Sequence, residues 1–197
     1  MKIFIRSLTL GALTLGLALM APTLATAQVT EYGPSWTATA STCVPSGRGT
    51  LDKYGFSGGD FYFDGAAVSA SSILGPVPIM VRCHVTQPRE TDRLDSTTWD
   101  TLIVGFQDPD GTTSNATVLT RLMRLSRPTG VASVVFSVNS NTDPLLFRHE
   151  RGVKFQAGAM DFFHYEYYVE ILLYRTSTAV ASPRAYSVRL ADTTSDR

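Results

Sequence analysis

Asp161–Arg175, DFFHYEYYVEILLYR, carries more aromatic and branched side chains than any other window, so a core must be built around it. Counted by twos, Phe163, Tyr165, Tyr167, Val169, Ile171 and Leu173 share one side, while Phe162, His164, Glu166, Tyr168, Glu170, Leu172 and Tyr174 share the other. An apolar row opposite a mixed row is the period of a half-buried β-strand or hairpin, with a turn expected near His164–Glu166. Ala185–Leu190 follows as a second strand, with Tyr186, Val188 and Leu190 expected to face inward and Ser187 and Arg189 outward.

Working back toward the N-terminus, Ala132, Val134, Phe136 and Val138 alternate with small or polar residues in another strand. Ser114–Leu125 and Thr98–Gln107 read as two more, joined through the turn Asp108-Pro109-Asp110-Gly111, where proline presets φ and glycine accepts a positive one. Ile79–Thr86 puts Ile79, Val81, Cys83 and Val85 on one face and Met80, Arg82, His84 and Thr86 on the other. Asp60–Asp64 is a short aromatic strand, with Ala66–Ser72 as its expected hairpin partner, and Trp36, Ala38 and Ala40 mark the first strand. No window shows a sustained helical period with caps at both ends. Short strands separated by turn signals predict a single all-β domain, an antiparallel sandwich of jelly-roll type.

The first residues have a different character. Lys2 and Arg6 precede an apolar run, Leu8–Met20, and Ala25-Thr26-Ala27 supplies the small residues a signal peptidase reads. The expected organisation is a cleaved signal peptide over residues 1–27, a β-sandwich over 28–191 and a flexible tail over 192–197. Export to the periplasm or the cell exterior follows, with no membrane span in the mature chain.

Charge narrows the partners. The chain has 17 basic and 17 acidic residues, and losing Lys2 and Arg6 leaves 15 basic against 17 acidic. A near-neutral surface without a basic run does not suit a nucleic-acid binder. Cys43 and Cys83 form an even pair that an oxidising compartment would join as a disulfide. The alternative, a catalytic thiol beside His84, is disfavoured because neighbours on a strand point to opposite faces.

Several motifs invite chemistry. Gly55-Phe56-Ser57-Gly58-Gly59 matches the G-x-S-x-G pattern, but it precedes strand-like DFYFDG where a nucleophile elbow needs a helix, so a glycine turn is expected. Glu166 and Glu170 have the spacing of a glycosidase pair, yet on an extended strand their α-carbons are ~13 Å apart. His84, His149 and His164 are scattered, and His164-x-Glu166 is a two-ligand fragment. Asp108-x-Asp110-Gly111 resembles the opening of a calcium loop without the later acidic ligands. No catalytic, metal or cofactor site emerges, and a structural calcium would need Asp92, Asp95 or Asp100 to converge on that turn. Asn115-Ala116-Thr117 is a glycosylation sequon, meaningful in a eukaryotic secretory pathway. Trp99, Tyr165, Tyr168 and Tyr174 are the candidate aromatics for stacking on a sugar from an exposed face.

Trp36-Thr37-Ala38 before Cys43, Val81–Thr86, Asp108-Pro109-Asp110-Gly111-Thr112 and Tyr167–Ile171 together resemble a group of exported bacterial β-sandwich proteins that carry no assigned activity. The resemblance implies one jelly-roll-like domain with the two cysteines bridged, and it carries over no catalytic residue. The resulting expectation is a non-enzymatic binding or envelope module, with a glycan or another envelope protein as partner. Contact residues are expected on the polar connections Gln87–Thr97 and Arg148–Arg151. A carbohydrate-binding module or glycan-acting hydrolase is the alternative, and a subunit paired through an edge strand a third.

Overall fold

A computed structural model of the chain describes residues 35–46, 52–86, 99–155 and 160–193. The expected leader over 1–27 and the connection Gln87–Thr97 lie outside these residues. The first strands are β1 (Trp36–Thr39), β2 (Val44–Pro45), β3 (Tyr54–Ser57), β4 (Asp60–Phe63), β5 (Ala70–Ser72), β6 (Gly75–Val77) and β7 (Ile79–Val85). They are followed by β8 (Thr101–Gln107), β9 (Ala116–Ser126), β10 (Ala132–Asn139), β11 (His149–Lys154), β12 (Tyr165–Arg175) and β13 (Arg184–Ala191). Every pairing is antiparallel, and no α-helix occurs among the described residues.

The strands form an antiparallel β-sandwich. One sheet has six strands in the order β11-β8-β13-β4-β3, with β1 also paired to β13; the other has five, β10-β9-β12-β7-β2. β12 is the spine of the second sheet, pairing β9 along its whole length and β7 on its other edge. Tyr167, Val169, Ile171 and Leu173 point inward from it, as the alternation predicts, beside Ile79, Val81, Cys83 and Val85 of β7. Phe61, Phe63, Leu102, Val104, Phe106, Val188 and Leu190 meet them from the six-stranded sheet. Each fully buried large side chain of this kind is worth about 1.5–3 kcal/mol against exposure.

Cys43 and Cys83 are joined as a disulfide across a sequence separation of 40 residues. The chain leaves β1 in one sheet, turns through a 3-10 segment at Ala40–Thr42 and enters β2 in the other. The bond fixes that crossover onto the inner row of β7. Arg175, 6% exposed at the end of β12, has no carboxylate partner among the described residues. It donates instead to the carbonyls of Gly65, Ala67, Thr178 and Val180, tying together the loops that leave β4 and β12.

Several sequence expectations need correction. β4 hairpins with β3, not with Ala66–Ser72, because Gly58 and Gly59 both adopt the positive φ that a two-residue hairpin turn demands. Residues 70–72 pair instead with Gly75–Val77 in a small separate hairpin. The uniform alternation of Ala132–Val138 fails at a bulge between Val134 and Phe136, which leaves Val134 52% exposed while Val138 is buried. Phe163 leaves the inward row for solvent, because Asp161 Oδ1 accepts from the amides of Phe163 and His164 and turns the chain just before β12. Asp192 does not begin a tail: it is buried, and the amide of Thr193 donates to Asp100 Oδ1 at 2.9 Å. Tyr186 does not face the core, for a reason that shapes the site described next.

Candidate functional site

The register of β13 against β8 slips between Ala185 and Ser187. At such a bulge two residues of one strand oppose one of its partner. Tyr186 and Ser187 therefore both turn outward and lie over Gly105, while Ala185 and Val188 on either side remain in the core. A Cβ on Gly105 would stand 2.7 Å from Tyr186 Cζ, and closer still to Cε2 and to Ser187 Oγ. Glycine lets the Tyr186 ring and the Ser187 hydroxyl approach the sheet this closely. The same device recurs on β3, where a Cβ on Gly55 would stand 2.9 Å from both Cζ and Oη of Tyr62.

Each ring carries an arginine. The Arg148 guanidinium lies 3.8 Å from the Tyr186 ring centroid, and that of Arg184 lies 4.7 Å from Tyr62. Both arginines reach Asp60, at 2.9 Å from Arg148 and 3.5 Å from Arg184. The Asp60 side chain is only 8% exposed, against 52% for Arg148 and 41% for Arg184, so the carboxylate anchors from below while the guanidiniums stay open. Beside them Ser187 Oγ donates to Glu150 Oε1 at 3.0 Å, and Arg189 approaches Glu150 at 3.9 Å. Burial and the nearby Glu150 push the Tyr186 phenol up from its usual value, so it stays a neutral donor and acceptor at physiological pH.

The outcome is a preorganised outer face on the six-stranded sheet: two flat rings seated on glycine backbone, two stacked guanidiniums and a carboxylate that locks their positions. Because a guanidinium lies over each ring, the face presents fixed guanidinium N–H, phenol and hydroxyl groups with ring edges between them, which suits a ligand rich in hydroxyl groups.

The residues singled out from sequence are distributed differently. Trp99 is no platform: it is 2% exposed and packs edge-on to Phe162. Tyr165 is half-buried under Arg124, whose guanidinium is 5.0 Å from its ring. Tyr168 and Tyr174 lie in the outward row of β12, on the opposite sheet from Tyr62 and Tyr186. Glu166 and Glu170 share that row, but Glu170 is buried against Arg82 at 3.0 Å while Glu166 is half-exposed near Arg127 at 3.8 Å. His164 is occupied by Asp161 at 2.5 Å, and buried His149 by Asp143 at 3.0 Å. A shallow cleft of about 260 Å³ has His84, Thr86, Arg127, Phe162 and Glu166 on its walls.

Ser57 of the G-x-S-x-G match sits in the β3–β4 hairpin with no elbow helix after it. Among the described residues no group of three or more His, Cys, Asp or Glu is placed to hold a metal ion. Asp110 Oδ2 already accepts from the amides of Asn115 and Ala116 and from Thr113. Asp108 is fully buried and takes a hydrogen bond from Ser140; burial pushes its carboxyl up to about 7. No described helix is long and apolar enough to cross a membrane.

Arg148–Arg151 is not the exposed polar connection expected. Arg148 and Glu150 belong to the outer face, His149 turns inward, and the segment from His149 onward is strand β11. Tyr62 and Tyr186 escaped the sequence reading. The available signal was a glycine inside each of two apolar strand patterns, Tyr54-Gly55-Phe56 and Val104-Gly105-Phe106, which marks a close approach to the backbone.

No protein-family model matches this chain, and no curated protein aligns with it. Among solved structures it is similar to a low-affinity xylan-binding module, CBM86, from Roseburia intestinalis, with 11% identity, 80% of this chain and 95% of that one covered, and a TM-score of 0.43. It is also similar to the xylan-binding module CBM15, with 12% identity, coverage of 83% and 93% and a TM-score of 0.40. A third similarity is to Xylanase10C of Cellvibrio japonicus in complex with xylopentaose, with 12% identity, 86% of this chain, 29% of that one and a TM-score of 0.36.

Proposed function

We propose that this is an exported, non-catalytic carbohydrate-binding module that holds a polysaccharide strand on the outer face of its six-stranded sheet, across Tyr62 and Tyr186. The observation that carries the reading is the close seating of both tyrosines on strand glycines, where an added Cβ would come within 2.9 Å of the phenol ring. A core needs nothing of the kind on its solvent side. Arg148, Arg184, Ser187 and Glu150 supply the polar groups that would fix sugar hydroxyls, and their mutual ion pairs and hydrogen bonds hold them in place before the ligand arrives. Export is supported by the leader pattern over 1–27 and by the Cys43–Cys83 bond, which favours an oxidising compartment. A binding role fits the carboxylates better than catalysis, because Glu170 and Asp60 are each committed to arginine.

Affinity electrophoresis of the purified protein through gels containing xylan, β-glucan, mannan or polyuronate tests the reading. Retardation by at least one polymer, lost in Tyr186→Ala and Tyr62→Ala, is expected. Free migration in every gel, or release of reducing ends from a retarding polymer, would overturn it.

A further inference from the structure

The opposite face of the sandwich carries a second arrangement, independent of the two glycine-seated tyrosines. The backbone register aligns Val44, Arg82, Glu170, Arg121 and Ser137 in one row across all five strands of the second sheet. With neighbouring strands about 4.8 Å apart, Arg82 and Arg121 stand about 10 Å from one another with Glu170 between them. Glu170 is 6% exposed and engaged by Arg82 twice, Nη2 at 3.0 Å and Nε at 3.1 Å to the same oxygen. Arg121 forms no ion pair among the described residues, although it neighbours the same carboxylate. The row thus holds two guanidiniums and one buried carboxylate, an excess of one positive charge in the middle of an open sheet face. Tyr168, next along β12, lies under the Arg82 guanidinium at 5.3 Å, and His84 stands across the strand from it.

A guanidinium without an ion pair among the described residues, beside a half-covered aromatic ring, is complementary to a sugar that bears a carboxylate: the planar fork takes the acid bidentately and the ring takes the apolar face of the pyranose. We propose that the outer face of the five-stranded sheet is a second binding site, specific for carboxylate-bearing polysaccharide, with Arg121 as the residue that pairs with the uronate and Tyr168 as its platform. The two faces look in opposite directions, so a protein using both would tie two polymer strands together.

The test is isothermal titration of the purified protein with polygalacturonate, with a neutral xylan and with poly-glutamate of similar length. Polygalacturonate binding should weaken about tenfold in Arg121→Gln, the scale of one charge-assisted hydrogen bond. It should also weaken in Tyr168→Ala and with added salt, while remaining intact in Tyr186→Ala. Arg121 is partly exposed and forms no ion pair among the described residues, so Arg121→Gln is expected to keep the parent melting temperature, and an Arg121→Lys variant should recover part of the affinity if charge is what counts. Unchanged polygalacturonate affinity in Arg121→Gln overturns the proposal, as does its loss in Tyr186→Ala, which would place the acid on the other face. Poly-glutamate binding as tightly as polygalacturonate also overturns it, in favour of an acidic protein segment. Xylan binding that is lost in Tyr186→Ala and indifferent to Arg121, beside polygalacturonate binding with the opposite dependence, upholds both faces; xylan binding with no polygalacturonate binding removes the second.

Discussion

Replacing Gly105 by alanine adds one methyl group to the centre of the six-stranded sheet. It should cost both stability and binding. The new carbon would stand 2.7 Å from Tyr186 Cζ, and nearer to Cε2 and Ser187 Oγ, whereas non-bonded carbons rest about 3.5–4.0 Å apart. The ring must rise by about 1 Å to restore ordinary contact. Above it lies the Arg148 guanidinium, 3.8 Å from the ring centroid and tied to Asp60 at 2.9 Å, so the movement either breaks that ion pair or strains the bulge in β13. Overpacking of this kind costs about 1–3 kcal/mol. Gly105 does not have a positive φ, so alanine also loses less chain entropy on folding and returns about 0.4–1 kcal/mol. The net expectation is a destabilisation of about 1–2 kcal/mol, or a fall of roughly 2–8 °C in melting temperature for a domain of this size. Differential scanning calorimetry measures the first quantity, and affinity electrophoresis measures the accompanying loss of retardation. A variant as stable as the parent and still retarded would show that the ring is not pinned on the glycine, and the reasoning behind the site would fail with it.

Other expectations concern the interior. Asp108 has its folded-state carboxyl raised to about 7 against an ordinary value of 3.8, so the folded protein holds more protons than the unfolded chain between those values. The stability this group contributes is complete below pH 3.8 and is lost as pH rises through about 7. Urea unfolding at pH 5 and pH 8 should show the parent losing about 2–3 kcal/mol across that interval relative to Asp108→Asn; parallel behaviour of the two proteins refutes the assignment. Thr120 Oγ1 is buried in the inner row with no hydrogen-bond partner among the described residues, so Thr120→Val should raise the unfolding free energy by about 1 kcal/mol, and a lower urea midpoint contradicts this. Reducing Cys43–Cys83, which spans 40 residues, should remove about 4 kcal/mol, read as a shift of the urea midpoint with and without reductant; coincident curves exclude it.

The alternation in Ile79–Val85 and Tyr165–Arg175 is legible because both strands lie in the middle of a sheet with one face against the core, where a one-residue slip would bury polar groups. Cys83 falls on the core row for the same reason, while its pairing with Cys43 is legible from the even cysteine count of an exported chain. Tyr186 was misplaced because a bulge inserts one residue without any mark in composition, and Val134 was misplaced in the same way. Trp99 looked available for stacking because its burial depends on Phe162, distant in sequence. The Glu166–Glu170 pair was put correctly on one face, but the bond of Glu170 to Arg82 depends on the pairing of β12 with β7, which no local pattern encodes. The candidate site itself is assembled from β3, β4, β8 and β13 together with Arg148 just ahead of β11. Only its two strand glycines hinted at it.

The bulge in β13 means that one strand is read in two frames. Up to Ala185 the inward positions fall on odd numbers; from Val188 they fall on even ones. Deleting residue 186 would merge the frames and keep the core residues on both sides facing inward, yet remove the tyrosine from the doubled outward pair. Sequences that share this sandwich can therefore gain or lose the tyrosine platform by a one-residue change in length, with their hydrophobic pattern untouched.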